Sequence, residues 1–138
     1  MEVNREYLEK LDSEIREYND SPCEQLLYEV LFTVFEGIAE NQAVICPVEF
    51  DPDMTTCQPL FLRKKNDMEH LAIFTDPDDL DYPTTANLRL QGLIGAILDL
   101  KSCEGIIINP NSDRSFFVPK LLLLSAFYAA LKMQEACK

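Results

Sequence analysis

A single histidine limits the chemistry open to this chain. His70 is the only imidazole among 138 residues, so a Ser/His/Asp triad, a Cys/His nucleophile or a multi-histidine metal site has to be built on it alone. It precedes an apolar run and has Asp67 and Glu69 nearby, and the plainer reading is a surface or strand-end histidine without a role. Cys46 and Cys57 share a sheet face in any hairpin register whose paired residue numbers sum to an odd value. That permits a redox pair, against which stands the ordinary reading of buried core thiols. Asp76, Asp78, Asp79 and Asp81 resemble a calcium loop, but the central glycine and the distant glutamate are missing, and helix capping explains them better. Four glycines in the whole chain leave no Gly-rich phosphate loop, and Arg63-Lys64-Lys65 reads as a solvated hairpin tip.

The best candidate site is geometric. Thr75 and Asp76 close one apolar run, while Asn109, Asn111 and Ser112 follow another. If the two runs are parallel neighbouring strands, these five residues gather at their carboxyl ends, the rim that ligands favour in open α/β sheets. In the rival reading Thr75 and Asp76 cap a helix, while Asn109 and Ser112 shape a turn. The pattern implies no catalytic residue, metal or cofactor.

The elements that position this rim follow from periodicity. From Arg5 to Asn19, Leu8, Leu11, Ile15 and Tyr18 recur at three- and four-residue steps, with acidic residues between them, which predicts an amphipathic helix. Glu6 with Lys10 and Asp12 with Arg16 are acid-first pairs four apart on its surface. Ser21 suits an N-cap and Pro22 a first helical position. The second helix they open has its main stripe at Leu27, Leu31, Val34, Phe35 and Ile38, and Tyr28, Phe32 and Ala39 make a second face apolar. This helix is expected to be sandwiched between the first helix and the body.

Ala43 to Phe50, a turn at Asp51-Pro52-Asp53 and Cys57 to Arg63 read as a hairpin, with Pro47 and Pro59 pointing to an edge or bulge. Glu69 to Thr75 predicts a third strand. A short helix capped by Asp76 follows, then a longer one from about Ala86 to Ser102, with Leu90, Leu93, Ile94, Ile97 and Leu100 on one face and Gly92 and Gly95 allowing close packing. Ile106 to Ile108 and Ser115 to Val118 predict two more strands. The last helix starts at Pro119, and its apolar residues from Leu121 to Met133 nearly encircle it, so it is either central or covered by a partner. The expected fold is a single α+β domain. A small mixed sheet of about five strands is joined by an amino-terminal helical pair, a crossover helix and a carboxy-terminal helix, dividing into an acidic helical pair at 1–41 and an α/β body at 42–138.

The net charge is −12, which disfavours nucleic acid and anionic lipid as partners. Residues 1–41 hold 11 acidic and 3 basic side chains, a net of −8, and the rest carries −4. Cysteines at 23, 46, 57, 103 and 137 form no CxxC, and the amino terminus is not a signal peptide. The expectation is a reduced, cytoplasmic protein. Leu121 to Leu131 is about half the roughly 20 apolar residues that span a bilayer.

Leu71-Ala72-Ile73-Phe74-Thr75-Asp76-Pro77-Asp78-Asp79-Leu80 resembles the strand-to-helix joint in the amino-terminal domain of the SseB family, the enhanced serine sensitivity proteins. Gly105-Ile106-Ile107-Ile108-Asn109-Pro110 is similar to that family's short strand ending in Asn-Pro, and Ile45-Cys46-Pro47-Val48 to its proline-bearing apolar strand. The order agrees over about residues 5–130. Two departures stand out: the second helix is longer here, and the chain ends where many relatives continue into a carboxy-terminal domain. The resemblance thus implies a stand-alone version. The family has no established enzymatic activity, so the resemblance informs fold more than function.

Two functional expectations follow. One is a non-enzymatic protein-interaction or regulatory domain, with self-association as its simplest form, motivated by the acidic arm and the apolar second and last helices. The other is a small-molecule binding domain, for an amino acid or metabolite, using the carboxyl-end rim.

Overall fold

The computed structural model describes residues 2–53, 55–64, 66–76, 82 and 84–136. Helix α1 spans Arg5–Asp20, and the Asn4 side chain accepts the Tyr7 N–H at 3.3 Å to cap it. Its buried stripe is Tyr7, Leu8, Leu11 and Ile15. Tyr18 lies at the edge of the core with its ring edge-on to Phe116.

Helix α2 spans Glu24–Ala39 with Cys23 as N-cap. Ser21 instead closes α1, donating its N–H to Glu17 O at 3.1 Å, which moves the predicted helix start past Pro22. The end of α2 is a Schellman turn. Asn41 adopts a left-handed φ of 55°, its N–H bonds Ile38 O, and the Gln42 N–H bonds Gly37 O.

Strand β1, Ala43–Phe50, pairs antiparallel with β2, Cys57–Pro59, in a register that sets Phe50 opposite Cys57. The predicted hairpin is therefore present, but its second run divides. After Leu60 the chain leaves β1, and β3, Phe61–Arg63, pairs with β4, Glu69–Ile73, in another sheet. Pro59 has no N–H for a ladder, and the Leu60 N–H makes the last bond back to Pro47 O.

The second departure concerns Thr85–Arg89, which forms strand β5 against the other edge of β1. Helix α3 is confined to Leu90–Ile97, whereas periodicity predicts a helix from about Ala86. The buried part of β1, Ala43 to Val48, needs a ladder partner along that edge, and Thr85 and Asn87 are weak helix formers that yield to it. Leu90, Leu93, Ile94 and Ile97 are buried as predicted, but Leu100 is exposed. Gly92 and Gly95 face open space and do not serve close packing. The short helix expected after Asp76 lies outside the described residues.

Strand β6, Cys103–Ile108, runs parallel to β4, and β7, Phe116–Pro119, runs antiparallel to β6. The described strands thus form two sheets, ordered β2-β1-β5 and β3-β4-β6-β7, in place of one sheet of about five strands. A bridge between Ile45 and Phe74 joins them. Gly105 is required in β6: at φ 157° an added Cβ would stand 2.2 Å from Val118 O. Helix α4, Lys120–Ala136, completes an α+β fold with a helical pair at one end of the chain and a helix at the other.

Apolar residues of α1, α2, β1, β4, β6, β7 and α4 meet in one core that includes Leu11, Val34, Val44, Ile73, Ile106, Val118 and Leu123. Each fully buried aliphatic side chain contributes about 1.5–3 kcal/mol relative to exposure. The last helix is not central. Leu123 and Ala130 are its buried residues, and its outer face is open.

Candidate functional site

The parallel pairing of β4 with β6 brings the two predicted joints together. Asn109 is buried in a left-handed conformation at the end of β6. Its Oδ1 accepts the Thr75 N–H at 3.0 Å, and its Nδ2 donates to Thr75 Oγ1 at 2.9 Å and Arg114 O at 3.3 Å. A short polar side chain tolerates this backbone region, and its amide welds the two strand ends. Ser112 Oγ donates to Asn109 O and accepts the Arg114 N–H, while Asn111 has φ 64°. Ser112 and Asn111 therefore shape the turn, and Asn109 lies beneath the rim. Thr75 and Asp76 line a cleft.

That cleft, of about 270 Å³, lies between the rim and α1. Arg5, Glu9, Asp12 and Arg16 of α1 line it together with Asp76 and Arg114, with Val3, Leu8 and Ile45 as apolar wall. Its centre is a buried ion pair: Arg114 Nη1 donates to Asp12 Oδ1 at 3.0 Å, and the Arg114 side chain is 8% exposed. Thr75 Oγ1 donates to the same Asp12 oxygen at 3.0 Å, and Arg16 Nε lies 3.3 Å from Asp12 Oδ2. One carboxylate thus binds α1 to the rim through the Arg114 guanidinium and the Thr75 hydroxyl, and Arg16 holds that carboxylate from within the helix. A charge removed from water to this degree persists only when paired.

Asp12 and Arg114 escape sequence reasoning for different reasons. Asp12 pairs with Arg16 as predicted, yet it also flanks the apolar stripe, one residue beyond Leu11, and so reaches inward. Arg114 sits in a turn with no periodic signal, and nothing local marks it as buried.

The remaining candidates do not converge on this cleft. His70 is buried in β4, not at the surface, with Nε2 3.1 Å from Glu104 Oε1 and its ring stacked on Phe117 at 4.4 Å. Cys46 is buried, its thiol directed at Pro47 O and Ala72 O. Burial, aided by nearby Cys57, pushes this thiol up to about 12, so it stays protonated near neutrality and is a poor nucleophile. The observed register does place Cys46 and Cys57 on one face of the hairpin, and both are free thiols. Among the described residues no group of three or more His, Cys, Asp or Glu could hold a metal ion; Asp78, Asp79 and Asp81 lie outside them. Arg63 and Lys64 are exposed at a turn closed by the Lys64 N–H to Met68 O bond, and Lys65 lies outside the described residues.

A second surface has a different character. Phe32 on α2 is 68% exposed, and Leu121 and Met133 on α4 are 75% and 64% exposed, with Tyr28 and Tyr128 beside them in sequence, each about half exposed. The two helices pack against each other. The second apolar face predicted for α2 therefore meets water instead of the body, and so does most of the apolar circumference of α4. Among the described residues, no helix is long and apolar enough to cross a membrane.

Compared with known proteins, the chain matches no family model, no curated protein and no solved structure.

Proposed function

We propose that this chain is a non-enzymatic protein-interaction or regulatory domain of the cytoplasm, related to the SseB family, which engages a protein partner through the outer face of α2 and α4. The observation that carries this reading is the exposure of Tyr28, Phe32, Leu121, Tyr128 and Met133 on two adjoining helices. Scattered exposed apolar residues are ordinary, whereas large ones repeated along one line of a helix, as Tyr28 and Phe32 are on α2 and Leu121 and Tyr128 on α4, mark interaction surfaces. The acidic arm favours a basic partner surface. A photoreactive phenylalanine analogue in place of Phe32 or Leu121 is expected to give discrete crosslinked species in cells, while the same group in place of Thr85, exposed on β5, is not. Equal labelling from all three positions would sink the reading.

A second reading is favoured by the cleft: binding of a small molecule, an amino acid or metabolite, beside Thr75 and Asp76. Paired charges of both signs above an apolar wall suit a small polar ligand. A thermal-shift screen of amino acids and metabolites is the test, because ligand at 100 times its dissociation constant stabilises by about 2.7 kcal/mol. A flat screen rejects it.

A further inference from the structure

If α2 belongs to the interaction face, as proposed above, the side chains around Phe32 say what fits it. Tyr28 and Phe32 are 55% and 68% exposed, and they line a shallow depression of about 440 Å³ with Glu24, Gln25 and Glu29. Glu29, Phe32 and Glu36 follow at three- and four-residue steps, so the ring stands between two exposed carboxylates on one face of the helix. The Tyr28 hydroxyl donates to Glu24 Oε1 at 2.8 Å, which holds the phenol and leaves Oε2 as an acceptor. Helix α2 has no basic residue. On its α1 flank Glu14 accepts the Thr33 hydroxyl, and its charge acts with those of Glu36 and Glu40 on the Tyr7 phenol. Lys10, one turn before Glu14 on α1, offsets one of these carboxylates, and Lys132 of α4 is itself offset by the exposed Glu135. The surround of Tyr28 and Phe32 stays acidic.

We propose that this face of α2 docks a linear basic segment of another protein, with an arginine or lysine laid on the Phe32 ring and an apolar side chain beside Tyr28. An apolar occupant alone would strip water from the flanking carboxylates without replacing their hydrogen bonds, which is costly. A cation resolves that conflict, because the π face attracts it while its N–H groups donate to Glu29 or Glu36. The net charge of −8 on residues 1–41 steers such a segment toward the face. A second copy of the chain brings a net charge of −12 and is repelled. Two aromatic rings, which bury roughly 150–250 Å² each when fully covered, fall short of the about 800 Å² that each partner gives a standard interface. The occupant is therefore a segment and not a folded domain, held in a transient complex.

A photoreactive phenylalanine analogue in place of Gln25 tests this, because Gln25 lines the depression and its replacement leaves Tyr28, Phe32 and the glutamates in place. After irradiation in cells, mass spectrometry of the crosslinked peptide is expected to find a segment of another protein with net positive charge and an arginine or lysine within one helical turn's length of the attachment point. E29K/E36K should abolish that crosslink with an unchanged circular dichroism spectrum. E17K/E49K, which reverses the same amount of charge at exposed positions elsewhere, should leave it. A synthetic copy of the segment should bind the purified chain, about tenfold more weakly after Phe32→Ala. A crosslinked segment that is neutral or acidic, or that belongs to a second copy, overturns the basic partner while leaving the interaction role standing. A crosslink that survives E29K/E36K, one lost equally in E17K/E49K, or an affinity unchanged by Phe32→Ala overturns the site around Phe32. Silence at Gln25 with discrete crosslinks from Leu121 rejects this site alone; silence at both positions rejects the interaction role with it.

Discussion

Gly37→Ala separates helix propensity from packing with one methyl group. Gly37 is buried in α2 where the phenol of Tyr7 from α1 crosses it, and the Tyr7 hydroxyl donates to Thr33 O at 3.0 Å. A Cβ at position 37 would stand 2.0 Å from Tyr7 Oη, 2.4 Å from Cζ and 2.8 Å from Cε1. Propensity alone predicts that alanine stabilises a helix interior by about 1 kcal/mol. Relieving the overlap requires moving a rigid ring by more than an ångström, and overpacking of this kind costs about 1–3 kcal/mol. Loss of the hydrogen bond to Thr33 O adds about 1 kcal/mol. The net expectation is destabilisation by about 2 kcal/mol. With an unfolding entropy of about 2.1 cal/mol/K per residue, this lowers Tm by about 7 °C. Calorimetry or urea denaturation measures it, and the decisive control is the same substitution in a Tyr7→Leu background. A leucine ends short of the ring's far edge, so there Gly37→Ala should be neutral or stabilising. A stabilising single substitution, or an equal cost in both backgrounds, refutes the reasoning.

Asp12→Ala removes from the buried Arg114 guanidinium its 3.0 Å carboxylate partner, leaving Asp113 Oδ1 at 3.8 Å, and should cost about 2 kcal/mol in urea denaturation, while Arg114→Met, which removes the charge, should cost less. A cost below that of an ordinary surface change would show that the pair does not anchor α1. Asn109→Ala removes three side-chain bonds from a left-handed position and is expected to destabilise by about 2 kcal/mol, measured in the same assay; a neutral result would deny that the amide welds the strand ends. Burial raises the Tyr7 phenol, with Glu40, Glu36 and Glu14 adding to the effect, and raises the Cys46 thiol to about 12. Both groups are held neutral by the fold, so their contribution is complete below their ordinary values of 9 to 10 and is lost as pH rises above them. The denaturation midpoint should therefore fall from pH 9 upward, less steeply in Tyr7→Phe, and an unchanged slope in that variant would contradict the assignment. A thiol reagent near neutral pH should label the exposed Cys23 quickly and the buried Cys46 and Cys103 only on unfolding, which mass spectrometry resolves.

Much of the architecture could be read locally because each residue's periodic position selects a face. Leu8, Leu11 and Ile15 define the buried side of α1, and the joints at Thr75 and Asn109 do meet across a parallel strand pair. Of the five rim residues, Thr75 and Asp76 line the cleft, while Asn109, Asn111 and Ser112 support it. The readings that shifted share one cause. Whether Thr85–Arg89 is helix or strand depends on the open edge of β1, and where Cys57–Arg63 divides depends on which sheet receives Phe61.

From the sequence alone came the α+β class, the acidic helical arm, the excess of apolar surface on α2 and α4 and the poverty of catalytic groups, all of them properties of composition and short-range period. Only the tertiary structure decided that Arg114 is buried against Asp12, that Tyr7 crosses Gly37, and that the surplus apolar faces meet water and not the core. Ladder partners, desolvated charges and close contacts join residues far apart in the chain, 102 apart for Asp12 and Arg114, and no local pattern records which distant group will arrive.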